Sequence, residues 1–208
     1  SKVDIYRLHL AKSNKSAEIL TEIVQIATAK GAEIVYHDRQ SLSRISKNAA
    51  QDQGVAADLK LSQYQSYEDF LKNPRKDDYR LLALDGITNP QNLGMIIRSA
   101  CAGNIDGILL PLKGNAQIDP LVIKASAGTL FKAPILRCQT LASALDSFKQ
   151  DGATICALSS HAHYELKDFK SVGASIYVLG NETNGVSREV EALCNERIKI
   201  PMNNGVES

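Results

Sequence analysis

Short apolar runs recur along the N-terminal part of the chain, separated by polar stretches. The runs at residues 3–10, 32–37 and 54–61 are rich in Val, Ile and Leu, which favours β-strands. Between the first two runs, apolar residues return every three or four positions over residues 16–30, as on the buried face of a helix. A shorter helix is predicted at residues 41–46. Strands and helices in this order predict a small α/β domain.

A polar segment without periodicity separates this domain from the rest of the chain. Residues 72–78 read KNPRKDD and combine a proline with charged side chains, which is typical of a linker. We therefore predict a first domain at residues 1–72, a linker at 73–79 and a second domain at 80–208.

From residue 80 onward, apolar runs alternate with helical patterns. The predicted strands are RLLALD, GILLP, PILRC, ATICALS and SIYVLG, and the predicted helices are residues 92–102, 121–127, 141–150 and 187–194. Strands and helices in alternation build a parallel sheet covered by helices. Several runs show little polar alternation, as expected of strands that are buried on both faces. The fold class predicted for this domain is therefore α/β with a parallel sheet.

The composition narrows the class of protein without pointing to a function. The 208 residues are 44% hydrophobic and 23% charged, as in ordinary folded proteins. The formal net charge is only +1, so charge gives no sign of a nucleic-acid partner. No apolar run approaches the ~20 residues of a membrane span, and the first ten residues lack the apolar core of a signal peptide. We therefore expect a cytoplasmic protein that does not bind a membrane.

Cysteines, histidines and one basic loop are secondary candidates for ligand binding. The four cysteines are widely spaced and form no C-x-x-C pair, which favours buried thiols over zinc ligands or disulfides. His161 and His163 form an H-x-H in a polar loop, where solvent-facing histidines are more common than metal ligands. No metal is expected. The loop at residues 113–117, which contains Lys-Gly-Asn, is either a phosphate contact or a plain surface turn.

The segment NPQNLGMIIRSA, residues 89–100, follows the strand that ends at Asp85. A strand, a polar loop and a helix start place backbone N–H groups and polar side chains at the carboxyl end of a sheet. Asn92 is predicted at the helix N-cap, and Arg98 projects from the second turn. A capped helix with a surface arginine explains the segment equally well.

Two further segments follow predicted strands. In LGNETNGVS, residues 179–187, Gly180 and Gly185 flank polar side chains, so the loop can adopt positive φ angles and approach a ligand closely. In IPMNNGVES, residues 200–208, Pro201 removes an N–H just after a strand and forces the backbone out of the sheet. Taken singly, both segments are also compatible with ordinary turns.

Together and in this order, the three segments resemble the motifs of the knotted RNA methyltransferases of the SpoU (TrmH) family in the SPOUT superfamily. The resemblance covers residues 80–208, and the N-terminal domain is similar to the family's ribosomal-protein-like RNA-binding domain. The matching positions are Asn92, Gly94 and Arg98 in the first motif, Leu179, Gly180, Glu182 and Gly185 in the second, and Ile200, Pro201, Met202 and Ser208 in the third.

The resemblance implies S-adenosyl-L-methionine as the cofactor and the 2′-hydroxyl of an RNA ribose as the methyl acceptor. A guanidinium with a pKa of ~12 or more gives up a proton reluctantly, so Arg98 is expected to anchor a phosphate and stabilise the alkoxide. The catalytic positions implied are Asn92, Arg98, Glu182 and Ser208. The cofactor-binding positions implied are Leu179, Gly180, Asn181, Gly185, Ile200, Pro201 and Met202. A homodimer is also implied, and the N-terminal domain favours rRNA over tRNA as substrate.

The chain departs from the family pattern at both ends. It stops at Ser208, before the Leu and Asn that complete the third motif and before the terminal helix that ties the family's trefoil knot. Family members also carry a further strand and helix before the stretch equivalent to Val3. We therefore expect a shortened chain. The knot itself is implied only by the resemblance, since true knots are rare in proteins.

Three alternatives stay open. The first is a tRNA ribose methyltransferase. The second is a non-catalytic RNA-binding or ribosome-assembly protein with the same fold, against which Asn92, Arg98 and Glu182 argue. The third is a nucleotide-dependent enzyme with a doubly wound sheet, which is disfavoured because the sequence has neither G-x-G-x-x-G nor a phosphate-loop GK[ST].

Overall fold

The computed structural model describes residues 3–47, 52–61, 64–73, 76–103, 105–160, 162 and 164–201. By its internal contacts the chain divides into two compact units, Ser1–Gln63 and Tyr64–Ser208. Among the residues described, no helix is both long enough and apolar enough to cross a membrane.

The first unit is a three-stranded sheet with two helices. Its elements are β1 (Val3–Ala11), α1 (Glu18–Ala29), β2 (Glu33–His37), α2 (Arg39–Ser46) and β3 (Val55–Leu61). The middle strand β1 pairs in parallel with β2 and antiparallel with β3. Leu8 and Leu10 of β1 pack with Ala27 of α1 in a small buried core. The α/β pattern predicted for this part of the chain is confirmed.

The boundary between the units lies earlier than the predicted linker at residues 73–79. In the structure β4 (Gln65–Ser66) and α3 (Tyr67–Lys72) belong to the second unit, although the sequence pattern places them in a first domain ending at residue 72. The physical reason is the apolar face of α3: Tyr67, Phe70 and Leu71 lie at helical spacing and pack against the core of the second unit.

The second unit alternates strands and helices along one large sheet. After β4 and α3, its strands are β5 (Arg80–Leu84), β6 (Gly107–Pro111), β7 (Ile135–Cys138), β8 (Thr154–Leu158), β9 (Tyr164–Glu165), β10 (Ser175–Leu179) and β11 (Glu196–Lys199). Its helices are α4 (Pro90–Ala102), α5 (Pro120–Ala125), a short 3-10 helix (Thr129–Phe131), α6 (Leu141–Gln150) and α7 (Arg188–Glu191).

The described strands of this unit form an eight-stranded sheet in the order β4-β7-β6-β5-β10-β8-β11-β9. Every recorded pairing between them is parallel, and all five residues of β6 are buried. The prediction of an α/β domain with a parallel sheet buried on both faces is confirmed.

Separate apolar cores cover the two faces of the sheet. On one face, Phe148 and Leu145 of α6 are fully buried beside side chains of α3 and α7. On the other face, Leu93 and Ile97 of α4 pack with Val122 of α5. Burying a side chain of this size stabilises the fold by ~1.5–3 kcal/mol, so the two cores fix α4 and the strand ends around it.

The strand order creates a switch point next to β5. Along the chain, β6 and β7 follow on one side of β5, whereas β8 lies on the other side, with β10 inserted between β5 and β8. In open parallel sheets, ligands bind beyond the carboxyl ends of the strands at such a point. The fold therefore directs attention to the loops after β5, β8 and β10.

Candidate active site

A cleft of about 590 Å³ opens at this switch point. Its walls come from the loop after β5, the first turns of α4, the end of β8, the loop after β10 and the residue after β11. They include Ile87, Asn92, Met95, Ile96, Ala157, Leu158, Ser159, Ser160, Leu179, Gly180, Asn181, Glu182, Thr183, Asn184, Gly185, Val186, Glu191 and Ile200. The three sequence segments, which are far apart along the chain, therefore meet at one site.

The start of α4 differs from the prediction that Asn92 is its N-cap. Asn89 occupies that position, and its side-chain oxygen accepts hydrogen bonds from the backbone N–H groups of Gln91 at 2.8 Å and Asn92 at 3.3 Å. Pro90 suits the first helical position because it lacks an N–H and has a fixed φ. The helix therefore starts earlier, and the Asn92 side chain is not needed as a cap.

Asn92 instead joins the first motif to the second. Its amide nitrogen Nδ2 donates a hydrogen bond to Oε1 of Glu182 across the cleft. This bond, with a smaller contribution from the backbone N–H of Glu182 itself, lowers the pKa of the Glu182 carboxyl group, and partial burial opposes the effect only weakly. Glu182 is thus held ionised at neutral pH and oriented toward α4.

The loop after β10 is held in a tight hairpin by Asn181. Backbone hydrogen bonds run from Asn181 N–H to the carbonyl of Gly185 at 2.9 Å and back at 2.8 Å. The Asn181 side chain accepts from the N–H groups of Thr183 and Asn184, and donates to the carbonyl of Gly86 at 2.8 Å. Because these bonds occupy its amide, Asn181 lines the cleft mainly as a brace between the loops after β10 and β5.

Gly180 allows two stretches of backbone to approach more closely than any side chain would permit. A Cβ at this position would lie 2.2 Å from the carbonyl carbon of Gly185 and 2.3 Å from the nitrogen of Val186. Gly185 itself has a φ of +68°, which favours glycine. Both glycines of the second motif are therefore required by the hairpin, and this geometry exposes backbone groups to the cleft.

Gly94 of the first motif serves helix packing. A Cβ there would lie 2.5 Å from the Cβ of Ala125 and 2.8 Å from the carbonyl oxygen of Val122 in α5. Its absence lets α4 and α5 cross closely, which fixes the direction from which α4 enters the site.

Asn115 is a buried polar residue that supports the loop after β5. Its side-chain oxygen accepts from the N–H of Ile87 at 2.6 Å, and its nitrogen donates to the carbonyl of Leu84 at 3.0 Å. Lys113 and Gly114 of the same loop are exposed. In the loop at residues 113–117, therefore, Asn115 has a structural role, whereas the exposed Lys113 is available to an external partner.

The remaining positions implied by the family motifs fall in three places. Ile200 lines the cleft and Pro201 beside it is exposed. Arg98 is exposed on α4, outside the cleft lining, and no hydrogen bond or ion pair links its side chain to a described residue. Met202 and Ser208 lie outside the described residues.

The sequence patterns did not single out the end of β8 as part of a site. Residues 157–160 line the cleft because β8 lies next to β10, so the two carboxyl ends meet at the same edge. The only signal available was their position after a buried strand, and without the strand order this position is no different from that of any other strand end.

The residues predicted as weaker candidates for metal binding, His161 and His163, lie outside the described residues. Among the described residues, no group of three or more His, Cys, Asp or Glu side chains could hold a metal ion. All four cysteines are free. Burial raises the pKa of Cys138 and Cys156 to about 12 and that of Cys194 to about 11, which makes these thiols unreactive at neutral pH.

Comparison with known families gives two matches that together span most of the chain. Residues 79–208 match the family described as the SpoU rRNA Methylase family. Residues 1–65 match the domain described as RNA 2'-O ribose methyltransferase substrate binding. The resemblance inferred from the three motifs is confirmed.

Individual relatives agree with this result. An uncharacterized tRNA/rRNA methyltransferase of Mycolicibacterium vanbaalenii is 33% identical over 203 residues, which cover 97% of this chain and 64% of that protein. The chain therefore spans about two thirds of the length of this relative. The AdoMet-bound rRNA methyltransferase from Sinorhizobium meliloti has a TM-score of 0.80 at 20% identity, covering 99% of this chain and 74% of that one. The SpoU methyltransferase AviRb from Streptomyces viridochromogenes, in complex with AdoMet, has a TM-score of 0.76 at 21% identity, covering 99% and 77%.

Proposed function

This chain belongs to the SpoU rRNA methylase family, and we propose that it transfers a methyl group from S-adenosylmethionine to the ribose 2′-hydroxyl of a structured RNA. The observation that carries the proposal is the convergence of Asn92, Glu182 and Gly180 on one cleft at the switch point of the sheet. We further propose ribosomal RNA as the substrate and the cytoplasm as the location of the activity.

The cleft suits a cofactor of this kind in size and chemistry. Its volume of about 590 Å³ lies within the range of ~300–1,000 Å³ typical of small-molecule sites. Ile87, Leu179 and Ile200 supply apolar walls, while the hairpin around Gly180 supplies backbone donors and acceptors. We assign cofactor binding to Leu179, Gly180, Asn181, Gly185 and Ile200, which line the cleft. By the family resemblance, we assign the same role to Pro201 and Met202.

When bound, S-adenosylmethionine supplies an electrophilic methyl group on a sulfonium, so the protein needs to position the acceptor rather than provide a metal. Positioning alone can contribute much of the rate of such a displacement. A carboxylate with a lowered pKa is a weak base. We therefore assign Glu182 to orienting Asn92 beside the acceptor, and not to removing the hydroxyl proton.

Arg98 and Ser208 complete the proposed catalytic set. We propose that Arg98 binds the phosphate next to the target ribose and stabilises the alkoxide, because its guanidinium stays charged and offers a fork of donors. Since Arg98 is exposed and does not line its own cleft, we further propose a homodimer in which the partner subunit's Arg98 reaches the site. Exposed Met95 and Leu121 on α4 and α5 provide apolar surface for that contact.

We propose ribosomal RNA rather than tRNA because residues 79–208 match the family described as the SpoU rRNA Methylase family. By the family resemblance, an N-terminal substrate-binding domain such as the one matched at residues 1–65 is also more typical of enzymes that act on rRNA. The relative from Mycolicibacterium vanbaalenii carries both RNA classes in its name, so tRNA is the alternative to test.

The test combines cofactor titration with a methyl-transfer assay on two RNAs. Radiolabelled S-adenosylmethionine is incubated with the protein and with transcripts of large-subunit rRNA or of tRNA, and the labelled site is mapped by alkaline hydrolysis, because a 2′-O-methyl group blocks cleavage at that nucleotide. We expect label in rRNA, and an Asn92→Ala variant slower by roughly 10²-fold. Gln91→Ala is the matched control, since Gln91 is exposed on the same turn and does not line the cleft.

Each outcome has a distinct meaning. Binding of S-adenosylhomocysteine with label confined to tRNA would keep the reaction and change the substrate. RNA binding without cofactor binding would favour the non-catalytic RNA-binding alternative. Label at a base instead of a ribose would contradict the proposed acceptor.

A further inference from the structure

Positive charge is concentrated in one stretch of the second unit. Residues 86–138 contain five basic and two acidic residues, a net charge of +3, whereas the whole chain has a net charge of +1. Both acidic side chains have structural roles: Asp106 accepts from the N–H of Arg80, and Asp119 caps α5. The basic residues are Arg98, Lys113, Lys124, Lys132 and Arg137.

Arg137 is the member of this group that the fold holds most firmly. It is half-buried near the carboxyl end of β7, and its Cζ lies 5.2 Å from the centroid of the Tyr64 ring. Its Nη1 makes one long hydrogen bond, 3.5 Å, to the carbonyl of Pro111. Burial lowers its pKa, and no carboxylate is among the groups that shift that pKa. A half-buried guanidinium thus keeps most of its five N–H donors uncommitted to the described residues.

Arg137 lies on the same face of the sheet as α4, whose first turns line the cleft. Its neighbours Leu136 and Cys138 face the core around Phe148, so Arg137 and Tyr64 lie on the opposite face of the sheet, which α4 covers. Strands β7 and β5 are separated by β6 alone, a distance of ~10 Å across the sheet. The N–H of Leu112 bonds to the carbonyl of Cys138 at 3.0 Å, which places exposed Lys113 close to the same strand end.

We propose that Arg137, held against the ring of Tyr64, binds a backbone phosphate of the RNA substrate beside the nucleotide that enters the cleft. The inference rests on the proposed function, because it takes RNA as the substrate. An arginine fork matches two phosphate oxygens, and a stacked guanidinium is already oriented for that contact. Lys113 adds a second positive charge at the same edge. The contact sets the path of the strand and carries no base specificity.

The test measures RNA affinity against salt concentration for the protein and an Arg137→Gln variant, with the large-subunit rRNA transcript and the tRNA transcript as probes. Each phosphate contact contributes roughly 0.7–0.9 to the slope of log affinity against log salt. We expect Arg137→Gln to lose about one such contact. When salt is lowered from 1 M to 0.1 M, the affinity of the variant should therefore rise about fivefold to eightfold less than the affinity of the unchanged protein. Arg137→Lys keeps the charge and should keep the slope.

Lys170→Gln is the matched control. Lys170 is exposed and lies shortly before Ser175, at the amino end of β10, so its removal takes one charge from the other edge of the sheet. Its slope should equal that of the unchanged protein. Titration with S-adenosylhomocysteine should give the same affinity for all three variants, since none of these residues lines the cleft.

An Arg137→Gln variant with unchanged RNA affinity and unchanged slope would overturn the proposal and leave the Arg137–Tyr64 pair as a purely structural contact. A second measurement needs no variant: an arginine-specific reagent is applied to the unchanged protein, and the peptide containing Arg137 is quantified with and without RNA. Protection supports the proposal and equal modification refutes it. If the unchanged protein binds neither RNA, the proposed function fails instead, whatever the variants do.

Discussion

The substitution Gly180→Ala tests whether the hairpin after β10 is the rigid wall of the cleft. The added Cβ would lie 2.2 Å from the carbonyl carbon of Gly185, 2.3 Å from the nitrogen of Val186 and 2.5 Å from the oxygen of Gly185. All three contacts are with backbone atoms, so no side chain can rotate away. Ordinary contact begins at 3.4 Å, so the two backbone stretches must separate by about 1 Å.

This separation has a cost that follows from the bonds it breaks. The hairpin is closed by two backbone hydrogen bonds between Asn181 and Gly185, at 2.9 and 2.8 Å. Each contributes ~0.5–1.5 kcal/mol net, and overpacking costs a further ~1–3 kcal/mol. We therefore expect a loss of ~2–6 kcal/mol in the free energy of unfolding. For a chain of this length each kcal/mol lowers Tm by ~2–4 °C, so Tm should fall by at least ~4 °C.

The binding assay separates this effect from general strain. Calorimetric titration with S-adenosylhomocysteine should give an affinity at least ~10-fold lower for Gly180→Ala, since ~1.4 kcal/mol of misplacement is enough. Gly114→Ala is the matched control: Gly114 has a φ of +91°, no atom lies within 4 Å of its would-be Cβ, and it is outside the cleft lining. Gly114→Ala should lose ~1–2 kcal/mol of stability through backbone strain and bind normally.

The reasoning is refuted if Gly180→Ala binds the cofactor analogue as tightly as the unchanged protein does. It is also refuted if Gly114→Ala loses affinity to the same extent, because strain anywhere in the fold would then explain both results.

Three further predictions concern polar and thiol groups. The Asn92–Glu182 hydrogen bond contributes to stability above the ordinary carboxyl pKa, and this contribution disappears as the pH falls through the lowered pKa of Glu182 in the folded state. Asn92→Asp replaces the donor with a like charge, so NMR titration of the carboxyl groups should show that the pKa of Glu182 rises. An unchanged pKa would contradict the assignment. Asn115→Ala removes the hydrogen-bond partner of the Ile87 N–H and of the Leu84 carbonyl, so the free energy of unfolding measured in urea should fall by at least ~2 kcal/mol. A urea midpoint within error of that of the unchanged protein would contradict the structural role of Asn115. The thiols of Cys138, Cys156 and Cys194 should resist a disulfide reagent at pH 8 until urea unfolds the chain, because a pKa of about 11 to 12 leaves very little thiolate. Fast labelling of the native protein would contradict the burial of these thiols.

The sequence predicted the fold class well, because it depends on local patterns. Short apolar runs and helical spacing can be read without knowing which strands are neighbours, and the alternation from β5 to β10 was correct in kind. The six residues of α3 show the limit: Tyr67, Phe70 and Leu71 lie at helical spacing, but so short a segment gains its stability from packing on the second unit, and that partner is invisible in the sequence.

The candidate site could be predicted from the sequence only where a recognisable motif follows a strand. Parallel strands end at one edge, so the convergence of the segments after β5 and β10 followed from the pattern. The two asparagines near the start of α4 could not be separated by residue type, since either can cap a helix, and only the placement of Pro90 favours Asn89. The end of β8 was missed because the insertion of β10 beside it is a long-range pairing.

That insertion also has a consequence for a chain still being made. Strand β5 pairs with β10 from Arg80 and Ser175 onward, about 95 residues apart. At ~5–20 residues per second, a ribosome needs roughly 5 to 20 seconds to supply the partner strand after β5 has emerged. During that interval one edge of β5 is open to pairing with other chains. The first motif is therefore synthesised several seconds before the second, and a chain whose synthesis ends within this interval has an unfinished sheet and no cleft.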